Sequence, residues 1–168
     1  MNKLRIVIDT SVLIAALRSR RGASYRLLML LGSEKFAISV SVPLVLEYED
    51  AAKRLIGTAT WSERSIDDIL DYICAVADHQ EVFYLWRPFL KDADDDMVLE
   101  VAVAAGCDCI VTYNKADFRR AERFGLRIVT AKEFLEEDDR LDQVCVRRSG
   151  RKDLCFRILL RRCRPTLA

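Results

Sequence analysis

Apolar positions along the chain fall into two rhythms. Short β-rich runs at LRIVI (4–8), FAISV (36–40), EVFYL (81–85), CIVT (109–112) and LRIVT (126–130) read as five strands. Between them, apolar residues recur at helical spacing near 12–18, 23–32, 43–56, 62–77, 95–105, 115–123 and 131–137. Helix boundary signals agree with this division. Pro43 suits a first turn, with Ser41 just upstream. Ser62 precedes Glu63, Ser65 and Asp68, a capped entry. Thr130 and Glu133 form a capping-box pattern ahead of Phe134 and Leu135, and Gly106 stands where the helix over 95–105 should stop. Apolar strands separated by helices predict an α/β fold, a three-layer α/β/α sandwich around a central parallel sheet of about five strands.

The chain has 168 residues, 51% of them hydrophobic, which suits one sizeable core. No uninterrupted apolar run approaches the roughly 20 residues of a membrane helix. The first ten residues, MNKLRIVIDT, carry Asp9 inside the apolar stretch and read as a buried strand instead of a signal peptide. Charge divides the chain unevenly. Residues 1–139 hold 18 Lys+Arg against 24 Asp+Glu, whereas 140–168 hold 9 against 2. We therefore expect a domain over 1–138 and a basic C-terminal extension over 139–168. Six cysteines (74, 107, 109, 145, 155, 163) contain no C-x-x-C pair, and His79 is the single histidine. That pattern predicts reduced thiols in a cytoplasmic protein, not a disulfide framework or a zinc site.

In open α/β sheets ligands gather outside the carboxyl ends of the strands. Asp9 directly follows the first strand, trailed by Thr10 and Ser11. Asn114 and Asp117 follow the fourth. Glu47 lies one turn inside the helix after strand two, and Asp92, Asp94, Asp95 and Asp96 cluster at the entry of the helix over 95–105. Two like charges about 4 Å apart repel by roughly 4 kcal/mol at an effective dielectric near 20. Several converging carboxylates therefore call for a cation. An all-oxygen set favours Mg²⁺ or Mn²⁺, suited to in-line displacement at phosphorus. Plainer roles exist for some of these acids: the 92–96 run complements a helix dipole, Asp117 can cap a helix over 118–123, and Glu47 can be solvated. On helical spacing Asp95 shares a face with Val98, Leu99 and Ala102, so it borders the buried side, and Asp96 lies about 100° further round.

Other acidic-pocket and nucleotide-binding folds lack their marks here. A phosphorelay receiver wants an acidic pair near strand one, where this chain has Asn2 and Lys3, and a lysine ending strand five, where Thr130 precedes Ala131. A haloacid-dehalogenase-type phosphatase wants Asp-x-Asp, but position 11 is Ser. A dinucleotide-binding turn wants glycines, which Asp9, Thr10, Ser11 and Val12 do not offer.

VIDTSVLIAAL, VPLVLEYEDAAKR, DADDDMVLEVAVAAGCDCIVTYNKADF and LRIVTAKEFLEE, taken in order, resemble the four blocks of PIN-domain ribonucleases, especially the VapC-like subgroup of toxin–antitoxin toxins, over about residues 4–137. Many members end the fourth strand T-G-D, where this chain has Thr112, Tyr113 and Asn114. The resemblance implies a Mg²⁺- or Mn²⁺-dependent endoribonuclease. Asp9, Glu47, Asp95 and Asp117 would be the catalytic and metal-binding acids, and Thr10, Ser11, Asp92, Asp96 and Asn114 would support them. It also implies an RNA substrate, a cognate antitoxin, a homodimer and no membrane. The alternative within the same fold is a catalytically silent RNA-binding or protein-interaction module. Arg18, Arg20, Arg21, Lys115, Arg119 and Arg120 lie near the strand-end edge and suit phosphate contacts, as do RRSGRK (147–152) and LLRRCRP (159–165) in the tail.

Overall fold

The computed structural model describes residues 3–57, 61–83 and 89–142, of which Ala93 and 138–142 are described by backbone alone. The chain runs β1 (Leu4–Ile8), α1 (Thr10–Arg18), α2 (Ala23–Met29), β2 (Phe36–Val40), α3 (Val42–Lys53), α4 (Glu63–Val76), β3 (Asp78–His79), α5 (Ala93–Ala104), β4 (Cys109–Val111), a 3₁₀ segment (Arg119–Phe124), β5 (Arg127–Val129) and α6 (Ala131–Asp142). Every strand pair is parallel, in the order β3-β2-β1-β4-β5. Ile6, Val7 and Ile8 of β1 and Cys109, Ile110 and Val111 of β4 are buried, as strands covered on both faces must be. Flanking helices complete the α/β/α sandwich. α5 packs across β1, β2 and β4, and α6 packs on β5 and α2, while its Phe134 meets Phe36 of β2 edge-on at 5.3 Å.

Strand order reverses direction at β1. The chain leaves β1 for β2 on one side, and β4 inserts on the other. The crevice beyond the carboxyl ends of β1 and β4 is therefore the switch point where such sheets bind ligands.

Local chemistry fixes the helix ends. Ser41 Oγ accepts from Leu44 N at 3.4 Å to start α3, and Ser62 Oγ accepts from Ser65 N at 3.2 Å to start α4. Thr130 and Glu133 close a reciprocal capping box at α6: Glu133 Oε2 accepts from Thr130 N at 2.7 Å, and Thr130 Oγ1 accepts from Glu133 N at 3.2 Å. α5 ends in a Schellman turn. Gly106 (φ +60°) donates to Val103 O, and Cys107 N donates to Ala102 O at 2.8 Å.

Two elements differ from the sequence reading. The third strand is Asp78–His79, not 81–85. Parallel pairing to β2 ends where β2 turns into α3, so Gln80 N to Val40 O is its last rung. Val82 and Phe83 follow outside the sheet, Phe83 being 80% exposed, and residues 84–85 lie outside the described residues. The helix expected over 115–123 is instead a turn followed by the 3₁₀ segment. Its bonds span three residues (Asp117 N to Asn114 O, Ala121 N to Phe118 O), and Gly125 ends it at φ +75°. α6 runs on to Asp142, past the expected domain boundary at 138, while residues 143–168 lie outside the described residues.

Asp96 is 1% exposed and turns back from α5 to accept hydrogen bonds from Phe89 N at 3.0 Å and Leu90 N at 2.7 Å. It fastens the incoming loop to the helix and so holds the acidic turn in place. We expect Asp96→Ala to cost about 3 kcal/mol in a urea titration, since it strands two backbone donors, whereas Asp94→Ala, exposed on the same turn, should change stability by less than about 0.5 kcal/mol.

Candidate active site

Asp9 occupies the switch point. Its backbone N donates to Val111 O at 2.9 Å, which stitches the end of β1 to the end of β4. Its carboxylate is only 5% exposed, and Oδ2 accepts from two hydroxyls: Ser11 Oγ, and Thr112 Oγ1 at 2.7 Å. Each hydroxyl is itself held. Thr112 Oγ1 accepts from Asn114 N at 2.9 Å, and Ser11 Oγ receives Tyr113 N at 3.4 Å. Below the site, the buried Tyr48 hydroxyl donates to Ile8 O. Burial pushes that phenol well up, and Asp9 and Glu47 push it the same way, so Tyr48 stays a neutral donor.

Asp95 stands across from Asp9 on the first turn of α5. Its carboxyl is pushed up to about 7, first by burial and then by the negative fields of Asp9, Asp92, Asp117 and Glu47. Those four residues come from β1, the cap of α5, the loop after β4, and α3, so one side chain senses acids from all four regions. Glu47 is likewise raised. Burial is the main cause, the neighbouring Thr10 side chain opposes it, and Asp9, Asp94 and Asp92 add to it. No bond between Thr10 and Glu47 reaches hydrogen-bond geometry: Thr10 Oγ1 and Glu47 Oε2 are both shielded from water and unpartnered among the described residues. Buried polar atoms seldom lack a partner, so this pair calls for an explanation.

The expected site residues thus separate into groups. Asp9, Glu47, Asp95 and Asp117 share one field, with Asp92 and Asp94 at its edge. Asp92 also caps α5, its Oδ1 accepting from Asp94 N at 3.1 Å. Ser11 touches Asp9 directly, and Asn114 acts through its backbone on Thr112. Asp96 turns toward the loop at 89–90, where its carboxylate accepts from Phe89 N and Leu90 N. Asp95 is half-buried beside buried Val98, Leu99 and Ala102, as its helical spacing implied, and Asp96 is more deeply buried still. The residue that sequence reasoning undervalued is Thr112. The signal lies in the strand order and not in the spacing: β4 pairs beside β1, which brings the hydroxyl after β4 to the carboxylate after β1.

All the donors are hard oxygens, which fits Mg²⁺ or Mn²⁺ better than a softer ion. Among the described residues, no three carboxylate, thiol or imidazole groups already stand close enough to hold a single ion, a spacing that mutual repulsion favours. An open cleft of about 460 Å³ adjoins the cluster between α3 and α5, lined by Thr10, Glu47, Asp94, Leu46, Arg54 and Met97. A larger hollow of about 700 Å³ opens at the opposite end of the strands, beside Lys3, Glu34 and Asp108, and holds none of these acids. The expected phosphate-binding cations divide too. Lys115 is paired with Glu133 at 3.0 Å, and Arg120 lies over the Phe89 ring at 4.4 Å, while Arg18, Arg21 and Arg119 are exposed. Cys74, Cys107 and Cys109 are free thiols. Burial pushes the last two up to about 11 and about 12, which leaves them unreactive, and the other three cysteines lie outside the described residues.

This architecture has known relatives. The chain's fold is similar to a chain in the crystal structure of VapBC2 from Rickettsia felis bound to a DNA fragment from their promoter. The TM-score is 0.53 and the identity 14%, over 74% of this chain and 98% of that one. At that identity the likeness concerns the fold alone. Among curated proteins none matches the chain. The family model for the PIN domain matches residues 5–116, more than half of the sequence. Matched from β1 through the loop after β4, a span that contains Asp9, Glu47 and Asp95, the chain belongs to the PIN domain family.

Proposed function

We propose that this chain is a divalent-metal-dependent endoribonuclease, the cytoplasmic toxin of a toxin–antitoxin pair. The observation that carries the reading is the convergence of Asp9, Glu47, Asp95 and Asp117 on one field at the switch point, with Glu47 Oε2 buried and unpartnered among the described residues. Family membership supports nuclease chemistry, and the fold's likeness to a chain of the VapBC2 complex supports an antitoxin as partner. No described helix is long and apolar enough to cross a membrane. On α3, Val42 and the 55% exposed Leu46 lie one turn apart and offer an apolar surface to the antitoxin or to a second copy in a homodimer.

Bound Mg²⁺ or Mn²⁺ would supply Lewis acidity at the scissile phosphate and at the attacking water. The chain's own residues do the rest. Ser11 and Thr112 fix Asp9 so that one oxygen-donor direction is set before any ligand arrives. Glu47 and Asp95 contribute donors from α3 and α5, and Asp117 closes the set from the loop after β4. Asp95, whose carboxyl is pushed up to about 7 first by burial and then by the neighbouring acids, would have to give up its proton to act as a ligand, which would couple metal binding to pH. Exposed Arg18, Arg21 and Arg119 bring positive charge to an otherwise acidic surface and suit the flanking phosphates.

Purified protein should cleave single-stranded RNA with Mg²⁺ or Mn²⁺, lose that activity to a chelator, and fall to background as Asp9→Asn with its melting curve preserved. Absence of cleavage by the wild type under those conditions would leave a silent binding module as the better account. Thr112→Val should reduce kcat/KM by about 10- to 100-fold, because it removes one of the two hydroxyls that orient Asp9. The acid cluster also sets a pH dependence. An unfolded aspartate titrates near 3.9, so between about pH 4 and 7 folded Asp95 keeps a proton that the unfolded chain has released, and metal-free stability falls as pH rises through that window. Asp95→Asn should make this slope shallower and raise the metal-free Tm at pH 7.5 by about 3 °C, read by differential scanning fluorimetry. An unchanged slope would remove Asp95 from the cluster.

A further inference from the structure

Six large apolar or aromatic side chains are exposed among the described residues: Val42, Leu46, Ile56, Phe83, Tyr113 and Phe124. Of these, Tyr113 alone belongs to the hydrogen-bond network around Asp9. Its backbone N reaches Ser11 Oγ at 3.4 Å, the hydroxyl that binds the Asp9 carboxylate, and it directly follows Thr112, which binds the same carboxylate oxygen. At its far end, the Tyr113 hydroxyl shares a hydrogen bond of 2.7 Å with Ser24 Oγ on α2, a side chain that is 1% exposed. The residue is thus pinned at both ends yet 47% exposed. A tyrosine serving only to latch the loop after β4 to α2 has no need to stay half exposed beside the Asp9 network.

We propose that Tyr113 is a stacking platform for one unpaired base of the RNA, adjoining the phosphate that is cut. The inference rests on the ribonuclease reading of the same site. A ring already fixed in place loses little freedom when a base lies against it. Every base offers a π-face, so such a platform favours single strands over duplexes, whose bases are already stacked, and tolerates sequence. The backbone of the same strand meets positive charge close by. Arg21 is exposed three residues before Ser24, so the bond from Tyr113 to Ser24 brings the ring beside the segment that carries this arginine. An aromatic surface flanked by a cation is the usual composition of a single-strand site.

The test uses the full-length protein and a short single-stranded RNA carrying 2-aminopurine, whose fluorescence falls when it stacks, with Ca²⁺ in place of Mn²⁺ to limit cleavage. Wild type should quench the probe. Tyr113→Ala should weaken binding about tenfold and abolish the quenching, Tyr113→Leu should do the same while preserving bulk, and Tyr113→Phe and Tyr113→Trp should stay within about twofold of wild type. If Tyr113→Ala does not fold, Tyr113→Leu decides. Full binding and quenching by the Leu or Ala variant overturns the proposal. So does a Phe variant as weak as the Ala variant, which would assign the effect to the Ser24 latch, or a wild type that does not bind the strand. Cleavage is scored separately with Mn²⁺. Quenching without cleavage would fail the nuclease reading and leave the platform standing, whereas cleavage with equal affinity in all variants would fail the platform alone.

Discussion

A carboxylate taken almost wholly out of water between two strand ends is costly, and Asp9 is kept there by hydroxyls that the sheet itself delivers. Ser11 comes from the first turn after β1, and Thr112 ends β4, the strand paired beside β1. Charge-assisted bonds of this kind are about twice as strong as neutral ones, and here they also fix direction. The rest of the site is arranged with respect to Asp9: the fields on Asp95, Glu47 and Tyr48 all include it. The strand order makes the arrangement possible, because only adjacency of β1 and β4 brings residues about a hundred positions apart in sequence into one hydrogen-bond network.

Against that anchoring stands repulsion. Asp92, Asp94, Asp95, Glu47 and Asp117 gather around one crevice, and burial first, then the fields of its acid neighbours, push the Asp95 carboxyl up to about 7. A sequence chosen for stability alone would replace several of these acids. Their retention in one crevice is the pattern expected when function and stability pull in opposite directions at one site. The fold absorbs the strain through parts that are locally well made: the Schellman turn after α5, the capping box of α6 and the inward-turned Asp96, which secures the acidic turn without joining it.

Much of this was readable from the chain. β1, β2, β4 and β5 are apolar runs with clear borders, and the caps at Ser41, Ser62 and Thr130 and the stop at Gly106 act as their residue types suggest. Asp9 was legible because a charge closing a buried strand has few structural uses. Other features were not, for reasons of packing. The third strand is set by where β2 stops offering partners, not by the β propensity of Val82 and Phe83, so it falls at Asp78–His79. The segment after β4 is short and ends at Gly125, and it settles into 3₁₀ turns around buried Phe118. Helical spacing placed Asp95 at the border of the buried side, where it lies, but could not see the loop at 89–90 folding back onto Asp96 and burying it. The pairing of Thr112 with Asp9 required the strand order, which spacing does not supply.

The central claim is that acids remote in sequence form one cation-binding bowl at the β1/β4 switch point. Anomalous diffraction at the manganese edge, from crystals soaked in Mn²⁺, tests it most directly. The account predicts a peak bounded by Asp9, Glu47 and Asp95, with Asp117 at its rim and Asp96 uninvolved. A saturated soak that leaves this crevice without a peak, or places manganese only in the hollow beside Asp108 and Glu34, would contradict it.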